Sequence, residues 1–393
     1  MLKDEYANAY SRAFKRTAYG RWLQSEGVLV HEDWAVSDVW QLEQAPWPRM
    51  GVNACFITMY PLMEGRRGMF VADIPPGKAT EPIHHLYEQT ILVLDGHGTT
   101  EVWQQGDTRK HVFEWGPGAI FSPPLNTWYR MYNISSEAVK FIAINRAPSI
   151  MNELAEPEFL FECLYSFRNR FNGEENYFGV AERTQHGERA VWETNFLPNA
   201  FGADLDPADH KVAAGTLTSF HMAGNLMAGH ISEWPVGRYH KAHYHAAGAI
   251  IFGLASSGYV LIWPKDAGKE PYSNGYGDQV VEVPWGRGSV YAPPSEWYHQ
   301  HFNTGAEPAR HFAIHGGNTY SAAPLGQAAE ATNPSMRESD EGGTMLAYEE
   351  EDPEVRRRFR EALRASGVES QMGEELFTAG FAAARRATAV SVR

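Results

Sequence analysis

A chain of 393 residues that is 43% hydrophobic and 13% aromatic can bury more than one core, which excludes a disordered protein and makes two or three domains the expectation. A formal net charge of −14 leaves no basic face for a nucleic acid. Two cysteines, Cys55 and Cys163, with no CxxC pair, exclude a disulfide scaffold and a thiolate metal site.

The N-terminus lacks an apolar stretch of signal-peptide length, and no run approaches about 18 apolar residues. The expectation is a cytoplasmic protein with no membrane partner. Residues 1–45 read as a helical arm, with Tyr6, Tyr10, Phe14 and Leu23 spaced for one face of a helix. Such an aromatic face suits packing on a partner subunit, so a homo-oligomer is expected.

From about 46 to 147 the texture changes to short β-rich runs, among them Cys55–Met59, Met69–Ile74, Thr90–Leu94 and Val139–Ile144. Pro-Pro-Gly, Asp-Gly-His-Gly, Gly-Pro-Gly and Ser-Pro-Pro punctuate them, the pattern of an antiparallel sandwich or barrel. Residues 148–215 form a connector, with a helix expected near Glu158–Arg170. Strand texture returns from 216 to 318. Residues 319–393 read as a tail, a surface helix starting near Pro353 and then a weakly ordered end that carries no site.

The two β-rich segments are copies. Ile74-Pro75-Pro-Gly77 matches Trp234-Pro235-Val-Gly237, and Gly98 to Trp103 matches Gly258 to Trp263, both at an offset of 160. Trp115-Gly-Pro-Gly118 and Pro124 to Asn133 match Trp285-Gly-Arg-Gly288 and Pro294 to Asn303 at an offset of 170. The second copy therefore carries ten extra residues, placed most simply in Pro264–Gln279. A repeat this long means two homologous domains in tandem. Gly96, Gly98, Gly258 and Gly288 read as turn glycines.

The chemistry-bearing stretch is Gly237-Arg-Tyr-His240-Lys-Ala-His243-Tyr-His245. On a strand, residues two apart face the same way, so His243 and His245 present two imidazoles to one point. His299, in Trp297-Tyr-His-Gln-His301, supplies a third. His301 faces the same interior by alternation, and His315 lies on the next strand; either serves as acid/base or as a hydrogen-bonding partner of a substrate. Arg238 is a natural partner for a substrate carboxylate. His240 and Trp297 complete the expected substrate contacts.

These residues resemble the cupin superfamily. Its first motif is Gly, five residues, His-x-His, then Glu and Gly; its second is Gly, Pro-x-Gly, His, three residues, Asn. Here Gly237, His243 and His245 match the first, and Gly288, Pro294, His299 and Asn303 the second. The resemblance covers roughly half the chain and implies an all-β fold of two tandem double-stranded β-helix barrels, with a metal held by His243, His245 and His299 in the second. Ala249 stands where the Glu ligand would be, as in gentisate 1,2-dioxygenase-like bicupins. Those enzymes hold ferrous iron with three His and cleave an aromatic ring with O2, although their working site lies in the first barrel. The first barrel here offers Ile83, His85, Gln89 and Tyr129 at the equivalent places and is expected to be structural.

The expectation is thus an Fe(II) dioxygenase acting with O2 on a small hydroxylated aromatic or related carboxylic acid, with Zn, Ni, Cu or Mn as rival ions. One alternative is a cupin lyase, isomerase or decarboxylase that uses its metal as a Lewis acid without O2. Another is a non-catalytic storage or ligand-binding bicupin.

Overall fold

The strands Gly68–Ile74, Gln89–Asp95 and Val139–Asn145 are almost continuously apolar, as strands buried on both faces must be. The computed structural model, which describes residues 2–59, 66–186, 189–208, 210–245, 248–316, 335 and 337–381, explains why. Phe70, Ile91, Val93 and Phe141 point into the first barrel, while Met69, Val71, Leu92 and Ile142 point into a shared layer. Ile250, Phe252, Phe312 and Ile314 enter that layer from the second barrel. The two large sheets therefore pack back to back over one apolar core.

Each barrel is a large sheet closed by a small one. In the first, Val52–Met59, Gly68–Ile74, Val139–Asn145, Gln89–Asp95 and Ile120–Phe121 pair in that order. In the second, Thr216–His221, Met227–Trp234, Ala309–Gly316, Ala249–Ala255 and Val290–Tyr291 repeat it. The small sheets are Trp128–Asn133, Gly98–Trp103 and His111–Trp115, and their counterparts Trp297–Asn303, Ser257–Pro264 and Val281–Gly286. The register repeats too: Phe141 stands opposite Ala72 and Val93, and His311 opposite Ser232 and Gly253. The fold is all-β, two tandem double-stranded β-helix barrels of cupin architecture. Lys265–Ala267 and Gly277–Gln279 form short 3-10 turns at the two ends of Pro264–Gln279, the span that carries the ten extra residues.

The segments before each barrel do more than connect. Leu29–Asp33 pairs in parallel with Val52–Met59, and then Ala35–Val36 crosses to pair with Val290–Tyr291 of the second barrel. Arg189–Thr194 and Phe196–Leu197 repeat the manoeuvre in reverse, on Thr216–His221 and then on Ile120–Phe121. Each barrel thus receives an edge strand from the segment that leads into the other.

Three expectations about the segments outside the barrels need correction. The arm is α-helical only in its first half, at Leu2–Phe14 and Ala18–Glu26, and Phe14, Tyr19, Trp22 and Leu23 are buried against the chain's own first barrel. The connector's helix lies earlier, at Ala147–Leu154 with Pro148 in its first turn; the expected span Glu158–Arg170 holds the single turn Phe159–Glu162, and a 3-10 turn follows at Tyr177–Gly179. The tail helix, Pro353–Ser366, is capped by Asp352 and ends at Gly367 (φ 69°), but it is no bystander. Val355, Phe359 and Leu363 cover the outer face of the second small sheet, against Tyr239, Tyr259 and Phe302.

Gly98 and Gly258 are strand rather than turn glycines. A Cβ there would lie 2.2 and 1.8 Å from the carbonyl oxygens of Tyr132 and Phe302, so only glycine lets the neighbouring strand approach. Gly96 (φ 82°) and Gly288 (φ 86°) do sit in left-handed turns. Among the described residues no helix is long and apolar enough to cross a membrane.

Candidate metal centre

The stretch from Tyr239 to His245 is not a regular strand. It runs antiparallel beside Trp297–Asn303 through two isolated bridges, Tyr239 with Phe302 and His243 with His299. The paired numbers sum to 541 and then 542, so the register slips by one residue between the bridges, as in a β-bulge. That slip lets His240 and His243, three apart, line the same cavity. The first barrel has the same slip between Ala79–Tyr132 and Ile83–Tyr129.

His243, His245 and His299 each offer a ring nitrogen, and the three atoms lie within 4.8 Å of one another. The Nδ1 atoms of His243 and His299 sit 3.0 and 3.1 Å from the carbonyl oxygens of Lys241 and Trp297. A carbonyl accepts only from an N–H, so the Nε2 atoms keep their lone pairs, the arrangement usual for metal-bound imidazoles. Burial holds both rings neutral, with their pKa values well below the ordinary histidine range; for His243 the Lys211 ammonium adds to the effect, and for His299 the neighbouring His245 does. Three neutral nitrogens without a carboxylate fit Fe(II), Zn(II), Ni(II) or Cu(II) well, and Mn(II) less well.

Of the other expected site residues, His240 and His301 line the cavity, with ring centroids 5.4 Å apart. The remaining three do not. Arg238 donates from Nη1 to the Ala213 carbonyl at 2.9 Å, which ties its guanidinium to a neighbouring loop. Trp297 packs against the barrel's apolar interior and reaches the site only through its carbonyl on His299. His315 stands one ring behind the cavity wall, 5.6 Å from His230, because it lies at the end of its strand.

Sequence reasoning missed Lys211, His230 and His311, all of which line the cavity. Lys211 Nζ is 2.9 Å from His243 Nε2 and donates to it. Tyr291, fully buried, places its hydroxyl 2.9 Å from His301 Nδ1 and 3.3 Å from His311 Nδ1. The tail approaches as well: Lys241 pairs with Glu338 at 2.5 Å, and Met345 bridges to the His243 backbone.

No protein-family model matches the sequence. No curated protein matches it either. Among solved structures, a deletion mutant of Bacillus subtilis oxalate decarboxylase aligns with a TM-score of 0.46 and 12% identity, over 70% of this chain and 75% of its own. A structure of the same enzyme described for its Mn(II) centres gives the same values. A likeness at this TM-score carries no argument; the fold stands on strand order and register.

In the first barrel the equivalent place is closed by protein. Tyr129, at the position of His299, accepts from Gln89 Nε2 at 2.9 Å and lies 3.2 Å from His85 Nε2. His85 also stacks on Tyr87 with centroids 3.8 Å apart, and burial lowers its pKa to about 3.

Proposed function

We propose that the chain is a metalloenzyme acting on a small carboxylic acid. One divalent ion is held by His243, His245 and His299, and the reaction is a lyase, isomerase or decarboxylase step that consumes no O2. The observation that carries this reading is the cavity in which those rings meet. It measures about 40 Å³ and is lined by seven histidines and Lys211, with Leu217, Ser232, Ala249, Ile251 and Ala313 closing the rest of the wall. Bound there, the ion supplies Lewis-acid polarisation of a substrate oxygen.

The chain's own residues supply the rest. Lys211 places a positive charge beside His243, which favours an anionic occupant. Burial keeps His301 a neutral ring, hydrogen-bonded to Tyr291, so next to a bound acid it can accept a proton or a hydrogen bond. The chain thus binds and orients the acid and offers a proton acceptor beside it.

Ring cleavage by Fe(II) and O2 is the second reading, favoured by the all-imidazole donor set. Anaerobic metal analysis, followed by turnover of two- to four-carbon acids with and without O2, tests the choice. One ion per chain, lost in His243→Ala, with turnover independent of O2, is the expected result. O2 uptake with a hydroxybenzoate reverses the order of the readings, and a metal-free protein sinks both.

A further inference from the structure

The two barrels share a register, so their interiors can be compared position by position. Where the first barrel buries Phe141, Met131, Phe121 and Ile74, the second buries His311, His301, Tyr291 and Trp234. The fold closes with apolar residues at these places, so it does not require polar ones. The replacements also leave hydrogen-bonding capacity unused. His240 Nδ1, His311 Nε2 and Trp285 Nε1 are buried without a hydrogen-bond partner among the described residues. The Trp285 case is telling. Its counterpart Trp115 donates to Thr100 Oγ1 at 2.8 Å, and Val260 stands at the Thr100 position in the second barrel.

Of these groups His240, His301 and His311 line the cavity of the metal centre, with Tyr291, Trp234 and Trp285 packed behind them. His299 and His301 are 5.6 Å apart by ring centroid, and His301 and His311 5.7 Å. His311 stands edge-on to both Trp234 and Trp285, at 4.7 and 4.5 Å. Tyr291 carries one hydroxyl proton, so it donates to one of His301 and His311 and accepts from the other. Two neutral rings held this way have opposite tautomers: one Nε2 is a donor and the other an acceptor.

We infer that this end of the second barrel is a second, metal-free binding pole. His240 and His311, backed by Tyr291 and His301, take the oxygen-bearing far end of a substrate whose near carboxylate meets the three-histidine centre. The substrate class is then a short bifunctional acid, a hydroxy-, oxo- or dicarboxylic acid, and not a simple monocarboxylate. The inference rests on the metalloenzyme reading above.

The test uses full-length protein loaded with Co(II), whose visible spectrum reports an anion arriving at the ion. Propionate, 3-hydroxypropionate and malonate are titrated in turn. The two bifunctional acids are expected to bind at least about tenfold more tightly than propionate, as one or two added buried hydrogen bonds would give. His311→Phe, which installs the first barrel's residue, is expected to cut that preference below about threefold, with cobalt content and propionate affinity unchanged. His311→Gln keeps an N–H donor and is expected to retain it; His240→Thr, again the first barrel's residue, is expected to weaken it. A preference of full size in both His311→Phe and His240→Thr overturns the second pole, since chelation by the metal alone would explain it. Equal binding of all three acids by the unaltered protein overturns it as well. A protein that takes up no cobalt overturns the metal centre itself.

Discussion

His243 and His299 exchange backbone hydrogen bonds across an antiparallel bridge, N to O at 3.2 and 2.9 Å, with their rings 4.4 Å apart. Two of the three proposed ligands are therefore placed by main-chain pairing and held in tautomer by main-chain carbonyls. These two rings need little reorganisation to accept an ion once Lys211 releases His243 Nε2. His243→Ala and His299→Ala should each lower metal affinity by at least about 100-fold, since disturbing even an outer-shell partner costs about 10–100-fold. His85→Ala, in the first barrel, should leave metal content unchanged. Metal stoichiometry after dialysis against a chelator checks both.

Lys211 puts a cation against the same ligand set, its Nζ 2.9 Å from His243 Nε2. The charge opposes a divalent ion and favours an anion. Lys211→Met should therefore bind Co(II) about threefold to tenfold more tightly and propionate about tenfold more weakly, a divergence of order 1 kcal/mol in each direction. Chelator competition measures the first and the cobalt spectrum the second. Parallel changes in both affinities would mean that Lys211 acts only as packing.

Lys211 also marks the limit of what the sequence makes legible. The repeat is readable because its corners depend on residues with special backbone geometry, such as Gly118 and Gly288 at positive φ, and these recur at fixed offsets. The three histidines are readable because two come from one stretch and the third from a second motif. Lys211, His230 and His311 arrive from separate segments, and only strand order brings them together. The sequence places His315 on the strand after His299 but does not say that it lies too far along that strand to reach the cavity. The exchanged edge strands Ala35–Val36 and Phe196–Leu197 are two residues long, and their partners belong to the other barrel. No local pattern announces such pairing.

That exchange and the shared apolar layer should make the two barrels unfold as one unit. Val39 is fully buried and donates from its amide to the Gly288 carbonyl at 2.9 Å, and Phe252 is fully buried in the shared layer. Phe252→Ala should cost about 3–5 kcal/mol through lost transfer energy and the cavity left behind. Because the layer belongs to both barrels, calorimetry should give one unfolding transition for the native protein and one, at lower temperature, for the variant. Two separated transitions, with only the second barrel's shifted, would show that the barrels unfold independently.

The tail offers a pH test with a definite sign. Glu351 is buried where the tail meets the second barrel, accepting from the Tyr239 hydroxyl and, at 3.0 Å, from Gln300 Nε2. Burial outweighs these hydrogen bonds and raises its pKa from 4.5 to about 7. The folded state thus keeps a proton that the unfolded state has released between those values. The neutral carboxyl's contribution is fully present below about pH 4.5 and falls as pH rises towards 7, by about 3 kcal/mol in all. The buried imidazoles pull the other way. Their charged forms are disfavoured in the fold, so stability also drops as pH falls below about 6.5. Glu351→Gln mimics the protonated carboxyl and isolates its share. The stability of Glu351→Gln minus that of the native protein, from denaturant unfolding, should grow by about 2–3 kcal/mol between pH 5 and pH 8. A difference that stays flat over that range would mean that Glu351 is already ionised in the fold at pH 5.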